Sequence, residues 1–252
     1  AFGFVFVQLE WFLELHSELE WRWLSFVVHP YHIDTFNQPF ADIFAFLGIA
    51  GGLYALHVKD RGQHVAVLLY GASAIGVVLA GDLIAVIISW EIMAVASAYL
   101  VLSGGQRDSR GAGARYLMVH LIGGSLFLGG ILWHIAATGS TEITDFHNGP
   151  AEWMMFLGIA INVAVPPMHA WLPDAYPNAS VTGMVFMSGF TTKSAVYILA
   201  RGFHGWEVLI PIGVFMALYG MVYAVMATDI RKLLAYHIVS QVGFMVAGLG
   251  VA

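Results

Sequence analysis

The chain has 252 residues, of which 59% are hydrophobic and only 10% charged, with a net charge of −6 and no cysteine; its mean hydropathy is +0.78. Soluble domains carry about 25% charged residues, so a water-soluble fold of this size lacks the side chains to clothe its surface, and the composition reads as a membrane protein. Missing thiols exclude disulfides and iron–sulfur ligation, and no basic tail or stripe points to nucleic acid.

Residues 1–7 (AFGFVFV) are apolar but too short to span a bilayer. They read as the tail of a span that starts outside the sequence, with no basic flank to suggest a signal peptide. The segment 1–40 is read as interfacial. Glu10, Glu14 and Glu18 recur at i, i+4 beside Trp11, Leu15 and Leu19, the pattern of an amphipathic helix. Such a helix lies on the membrane surface, anchored by Trp21 and Trp23, or packs against the bundle.

A membrane helix needs about 20 apolar residues. Eight such runs follow in the transmembrane region 41–252, at 41–58, 63–80, 83–103, 116–138, 153–171, 181–203, 208–227 and 233–252. None alternates with period two, so barrel strands are excluded. The expected fold is all-α, a polytopic bundle of about eight transmembrane helices, one of them broken. Only Gly81 and Asp82 separate the second run from the third, which makes those two a tight antiparallel pair.

Eight spans put alternate loops on opposite sides. Of the ten Lys and Arg residues, Lys59, Arg61, Arg107, Arg110, Arg115, Arg231 and Lys232 fall on one side. Arg22 and Arg201 fall on the other, and Lys193 lies within a span. The first side is expected to be cytoplasmic. The acidic loop of Glu142, Asp145 and Glu152 then faces outward.

Three spans carry an ionisable residue where charge is expensive. Glu91 stands alone in LIAVIISWEIMAVASAYLVL, Lys193 sits within VTGMVFMSGFTTKSAVYILA, and His120 lies about one turn into the fourth run. An ionisable group at mid-bilayer costs at least about 2.5–3.5 kcal/mol, and such groups face the bundle interior or a hydrated cavity. Glu91 and Lys193 are natural partners whose titrations would couple. A static ion pair joining helices is the alternative.

The fifth run ends in INVAVPPMHAWLPDAYPNAS, where Pro166, Pro167 and Pro173 cannot continue a regular helix. Broken backbone in a membrane is tolerated only inside protein or along a cavity. Asn162 precedes the break. His169 follows it, either as a titratable group or as a cap for freed carbonyls. His29 and His32 (HPYH) are a weak zinc signal without a third ligand. GGSLFLGG at 123–130 reads as a packing surface. No cofactor motif is present.

Four segments together resemble a known family. WEIMAVASAYLVL is similar to the glutamate-bearing helix of the antiporter-like subunits shared by respiratory complex I, membrane-bound hydrogenases and Mrp-type multisubunit cation/proton antiporters. PPMHAWLPDAYPNAS resembles the family's Pro-x-His-x-Trp-Leu-Pro-Asp-Ala signature. SGFTTKSAVYILAR resembles its lysine helix. TDIRKLLAYHIVSQVGFM resembles the segment that follows, leaning toward the D-type branch of the Mrp-type antiporters.

The resemblance covers roughly 40–252. It implies that Glu91 is the essential carboxylate and Lys193 the central lysine. The family's second lysine is Asn162 here, which cannot titrate. Arg231–Lys232 reverses the common Lys–Arg order. The family fold has two inverted five-helix repeats, so the first is expected at about 63–203 and the start of the second at 208–252. The chain is then a fragment, or a partner chain supplies the rest.

The function so implied is proton translocation, with Na⁺ as a candidate exchange ion, along Glu91, Asn162, Lys193 and His169, extended by His120 and His237. Its partners are other membrane subunits and the bilayer of a bacterial inner membrane. A subunit of a complex I-like NADH:quinone oxidoreductase or a hydrogenase is the second reading, and a structural subunit with a silenced half-channel the third. The chain carries no redox site, so any enzymatic activity belongs to its complex.

Overall fold

Backbone groups in lipid find no water, so each crossing segment must close its own hydrogen bonds, and helices result. The computed structural model describes residues 21–23 and 26–251. The amphipathic pattern at 10–19 lies outside them. Trp21 and Trp23 fall in a short antiparallel hairpin of β1 (Trp21–Trp23) and β2 (Phe26–Val28).

Ten α-helices follow among the described residues: α1 (Gln38–Tyr54), α2 (Arg61–Leu79), α3 (Leu83–Leu102), α4 (Ser109–Thr138), α5 (Pro150–Val163), α6 (Trp171–Asn178), α7 (Val181–Gly189), α8 (Thr191–Gly202), α9 (Leu209–Met226) and α10 (Ile230–Leu249). Side-chain carboxylates or a hydroxyl cap four of them. Asp60 accepts from Gly62 N, Asp82 from Ala85 N, Ser180 from Gly183 N, and Asp229 from Arg231 N. Each satisfies an amide that a helix start leaves free.

Seven stretches are long and apolar enough to cross a membrane: Gln38–His57, α2, α3, α4, Pro150–Asn178, α9 and α10. The eighth expected span, 181–203, is divided into α7 and α8 at Phe190. Two of the eight crossings are therefore discontinuous, where the sequence pattern indicated one.

The α7–α8 break has no proline to cause it. Three side chains take the place of helical bonds there. Tyr176 donates its hydroxyl to the Met187 carbonyl at 2.8 Å, and Lys193 Nζ donates to the Ser188 carbonyl at 2.6 Å. The Thr191 amide donates to the Tyr70 hydroxyl at 3.0 Å.

The α5–α6 break follows the expectation at Pro166 and Pro167, where the chain leaves α5 through Ala164 at φ 65°. Trp171 Nε1 donates to the Ile161 carbonyl at 2.8 Å and so satisfies a group near the broken end. Pro173 was expected to interrupt the helix. It instead lies in the first turn of α6, where no amide donor is required.

α4 begins at Ser109, seven residues before the expected boundary. At 30 residues it is about 45 Å long, longer than a bilayer core. Arg110 and Arg115 thus belong to the helix, and His120 lies about three turns into it. Glu152, assigned to a loop from sequence, sits in the first turn of α5.

Polar contacts gather the loops at two ends. At the basic end, Gln63 donates to Ser103 O at 3.4 Å, Ser109 to Asn178 O at 2.7 Å, and Arg231 to Pro177 O at 3.0 Å. Arg115 bridges Asp108 and Asp174 there. At the opposite end, the Asp82 carboxylate accepts from the His29 amide, and Leu83 N donates to Thr141 O at 2.8 Å. Arg201 pairs with Asp34 at 2.9 Å at that end. Between the ends the core is aromatic, with Trp90, Tyr70, Tyr116, Tyr176, Phe127, Phe186 and Phe190 fully buried.

Glycines set the helix spacing. A Cβ at Gly213 or Gly220 of α9 would overlap the backbone of α10 at Ala247 or Ser240, and one at Gly158 of α5 would overlap α4 at Gly123 and Phe127.

Candidate functional site

One face of α4 organises the interior. Tyr116, His120 and Gly124 recur at i, i+4 and i+8, which stacks them along a single stripe. Tyr116 and Gly124 meet α3, and His120 between them meets α5.

Tyr116 donates its hydroxyl to Ser97 Oγ of α3 at 2.9 Å and lies 3.5 Å from Thr191 Oγ1 at the start of α8. Thr191 Oγ1 is in turn 2.5 Å from the hydroxyl of Tyr70 on α2. Four buried hydroxyls from four helices thus form one cluster.

His120 is 1% exposed. Its Nδ1 stands 2.5 Å from Oδ1 of Asn162 on α5. A carbonyl oxygen only accepts, so with Oδ1 facing the ring Nδ1 carries the proton, and in the neutral form Nε2 then holds the lone pair. Nε2 is buried without a hydrogen-bond partner. The ring is packed between Tyr116 and Trp171, with centroids 4.0 and 4.6 Å away.

Gly124 meets Glu91. The glutamate projects from the middle of α3, and its carboxylate rests in the space that a side chain at 124 would fill. On its other side Glu91 borders a groove between α2 and α3. Arg61, Val65, Leu69, Ile92, Val95 and Tyr99 line this groove, whose cavity is about 730 Å³. Glu91 forms no ion pair with any described residue.

The structure therefore unites Glu91, His120 and Asn162 around α4 and leaves the other candidates apart. Lys193 does not reach Glu91. It folds back onto the Ser188 carbonyl at the end of α7, a place where a cation is favoured by the freed carbonyls and the helix dipole. His169 occupies the single turn between α5 and α6. Its ring lies beside the Pro167 backbone and packs on Tyr219 at 4.6 Å. His237 stands exposed on α10.

Sequence reasoning missed Tyr70, Ser97, Tyr116 and Thr191. For Tyr116 a signal existed, since it precedes His120 by one helical turn. At the end opposite the basic one, the same helix carries His134, whose Nδ1 lies 2.7 Å from Oε1 of Glu152, both nearly buried.

Comparisons with known proteins agree with this architecture. Residues 80–252 match the family model described as NADH:quinone oxidoreductase/Mrp antiporter, TM. The N subunit of NADH-quinone oxidoreductase from Desulforudis audaxviator is 29% identical over an alignment of 260 residues, which takes in 88% of this chain and 51% of that protein. The D-type subunit of the Na⁺/H⁺ antiporter from Alkalihalophilus pseudofirmus is 29% identical over 199 residues, covering 70% and 40% respectively. A chain of the solved Mrp complex from Dietzia sp. DQ12-45-1b superposes with a TM-score of 0.85 at 24% identity, over 99% of this chain and 52% of that one. The chain thus spans about half the length, or less, of the relatives it matches.

Proposed function

Because the chain belongs to the NADH:quinone oxidoreductase/Mrp antiporter transmembrane family, we propose that it is a proton-translocating membrane subunit of a multisubunit complex. One observation carries the reading. A mid-helix carboxylate with no ion pair among the described residues rests on the face of α4 that also carries His120, whose Nε2 has no hydrogen-bond partner among those residues. Glu91 takes up or releases the proton, and His120 offers an acceptor about one turn away. Asn162 holds that imidazole in the tautomer with Nε2 open.

Lys193 and His169 lie at the two helix breaks and continue the path, with His237 at its margin. Broken helices at membrane depth are where transport proteins place ion sites. The end carrying Lys59, Arg107 and Arg231 faces the cytoplasm by the positive-inside rule, in a bacterial inner membrane. Resemblance to the D-type component of an Na⁺/H⁺ antiporter supports Na⁺ as the exchanged ion. The equal identity to an NADH-quinone oxidoreductase component supports a second setting, the membrane arm of a quinone-reducing complex, in which the same path would serve.

The test is proton and sodium flux in liposomes holding the whole complex. Glu91→Gln and Lys193→Ala are expected to abolish flux while the complex still assembles. Wild-type flux in both variants would sink the proposal.

A further inference from the structure

The run GGSLFLGG looks like a uniform small-residue surface, but its four glycines meet different neighbours. A Cβ at Gly123 would touch the Gly158 carbonyl at 3.2 Å and Ile161 at 3.2 Å. One at Gly129 would meet Met154, and one at Gly130 would meet Met155 and the Ala151 carbonyl. Those three make room for helix α5. Gly124 does not. A Cβ there would fall on Oε1 of Glu91, with Cδ at 3.0 Å and Oε2 at 3.4 Å.

Glu91 has no hydrogen bond or ion pair with any described residue, so no polar partner among them fixes its carboxylate. Shape must do so. On one side stands α4, and on the other lies the open groove between α2 and α3. Side chains one helical turn apart lie about 5–6 Å from each other. A carboxylate held at position 124 is therefore held one turn from His120. A carboxylate displaced from it moves toward the groove.

We infer that Gly124 is a positioning residue: its missing side chain forms the recess that seats the Glu91 carboxylate on the His120 face of α4. The inference rests on the proposed role of Glu91 in proton movement. Misplacing a reacting group by about 1 Å can cost a hundredfold in rate, and a methyl group at 124 forces a shift of that order.

The experiment uses the whole complex in liposomes with Gly124→Ala, Glu91→Asp, the double variant, and Gly123→Ala as a control. Gly124→Ala is expected to lower proton flux by roughly ten- to a hundredfold. Aspartate is one methylene shorter and does not enter the recess. In the Glu91→Asp background, Gly124→Ala should therefore cost nothing further. Equal fold-losses in both backgrounds would mean independent effects and overturn the seat.

Should Gly124→Ala fail to assemble, the double variant is expected to assemble. If it too fails, the clash is not with the carboxylate and the inference falls. A second readout separates the seat from the transport reading. The isotope-edited infrared carboxyl band of Glu91 is expected to shift in Gly124→Ala and not in Gly123→Ala. An unmoved band overturns the seat whatever the flux. Wild-type flux in Glu91→Gln with a shifted band overturns only the transport role.

Discussion

Tyr70 and Thr191, far apart in sequence, hold each other twice: the Thr191 amide donates to the Tyr70 hydroxyl at 3.0 Å, and the two hydroxyls stand 2.5 Å apart. From there the bonds run through Tyr116 to Ser97, and Ser97 donates to the Met93 carbonyl at 2.7 Å. A backbone carbonyl passes no proton onward, so this cluster ends as a clamp on the start of α8. Tyr70→Phe leaves a buried amide unsatisfied, which costs about 1–3 kcal/mol. Denaturant unfolding in micelles should show that loss. Flux per assembled complex should stay within about twofold of wild type; its abolition would make the hydroxyls a conduit instead.

Asn162→Leu removes the acceptor that fixes the His120 tautomer. The Nδ1 proton then lacks a partner in a buried site, at a cost of about 1–3 kcal/mol. Nitrogen-15 spectra of labelled His120 should pass from a single Nδ1–H form to a mixture. An unchanged spectrum would show that the packing of Tyr116 and Trp171 sets the tautomer without Asn162.

His134 and Glu152 join α4 to α5 with little solvent to screen them. A double-mutant cycle with His134→Gln and Glu152→Gln should return a coupling of about 1.5–3 kcal/mol, the range for hydrogen bonds to charged groups. Coupling below about 0.5 kcal/mol would put the pair with ordinary surface contacts.

Gly220→Ala drives a methyl into the backbone of α10 at Ser240. Overpacking of this kind costs about 1–3 kcal/mol. The thermal midpoint of the purified complex should fall. A helical glycine with free space around it supplies the control: at Gly48, where nothing lies within 4 Å, the same change should hold or raise the midpoint, since alanine favours the helix over glycine.

The parts of this molecule that were legible in its sequence are those where polarity is rare. Glu91, Lys193, His120 and Asn162 stand out because an apolar run exposes any exception. Pro166 and Pro167 announced one break because their chemistry is local. The other break was hidden, since Tyr70, Tyr176 and Lys193 create it and two of them come from elsewhere in the chain. The start of α4 was misplaced because Arg110 and Arg115 look like loop charges in a hydropathy scan, although helix geometry lets them extend beyond the bilayer core. Gly124 was hidden in a run whose other glycines do pack helices. Spacing could not show that Lys193 turns to Ser188 and not to Glu91, because that depends on carbonyls freed by the break.

The divided crossing formed by α5 and α6 is fastened to α4 at three heights: Glu152 to His134, Asn162 to His120, and Asp174 to Arg115. Arg115 and His134 are about 28 Å apart along the helix at 1.5 Å per residue. With both ends and the middle tied to one stiff rod, the prolines are not a free hinge. Moving either half away from α4 breaks at least one of these contacts, so α4 and the divided crossing pack as one unit beside α3 and Glu91.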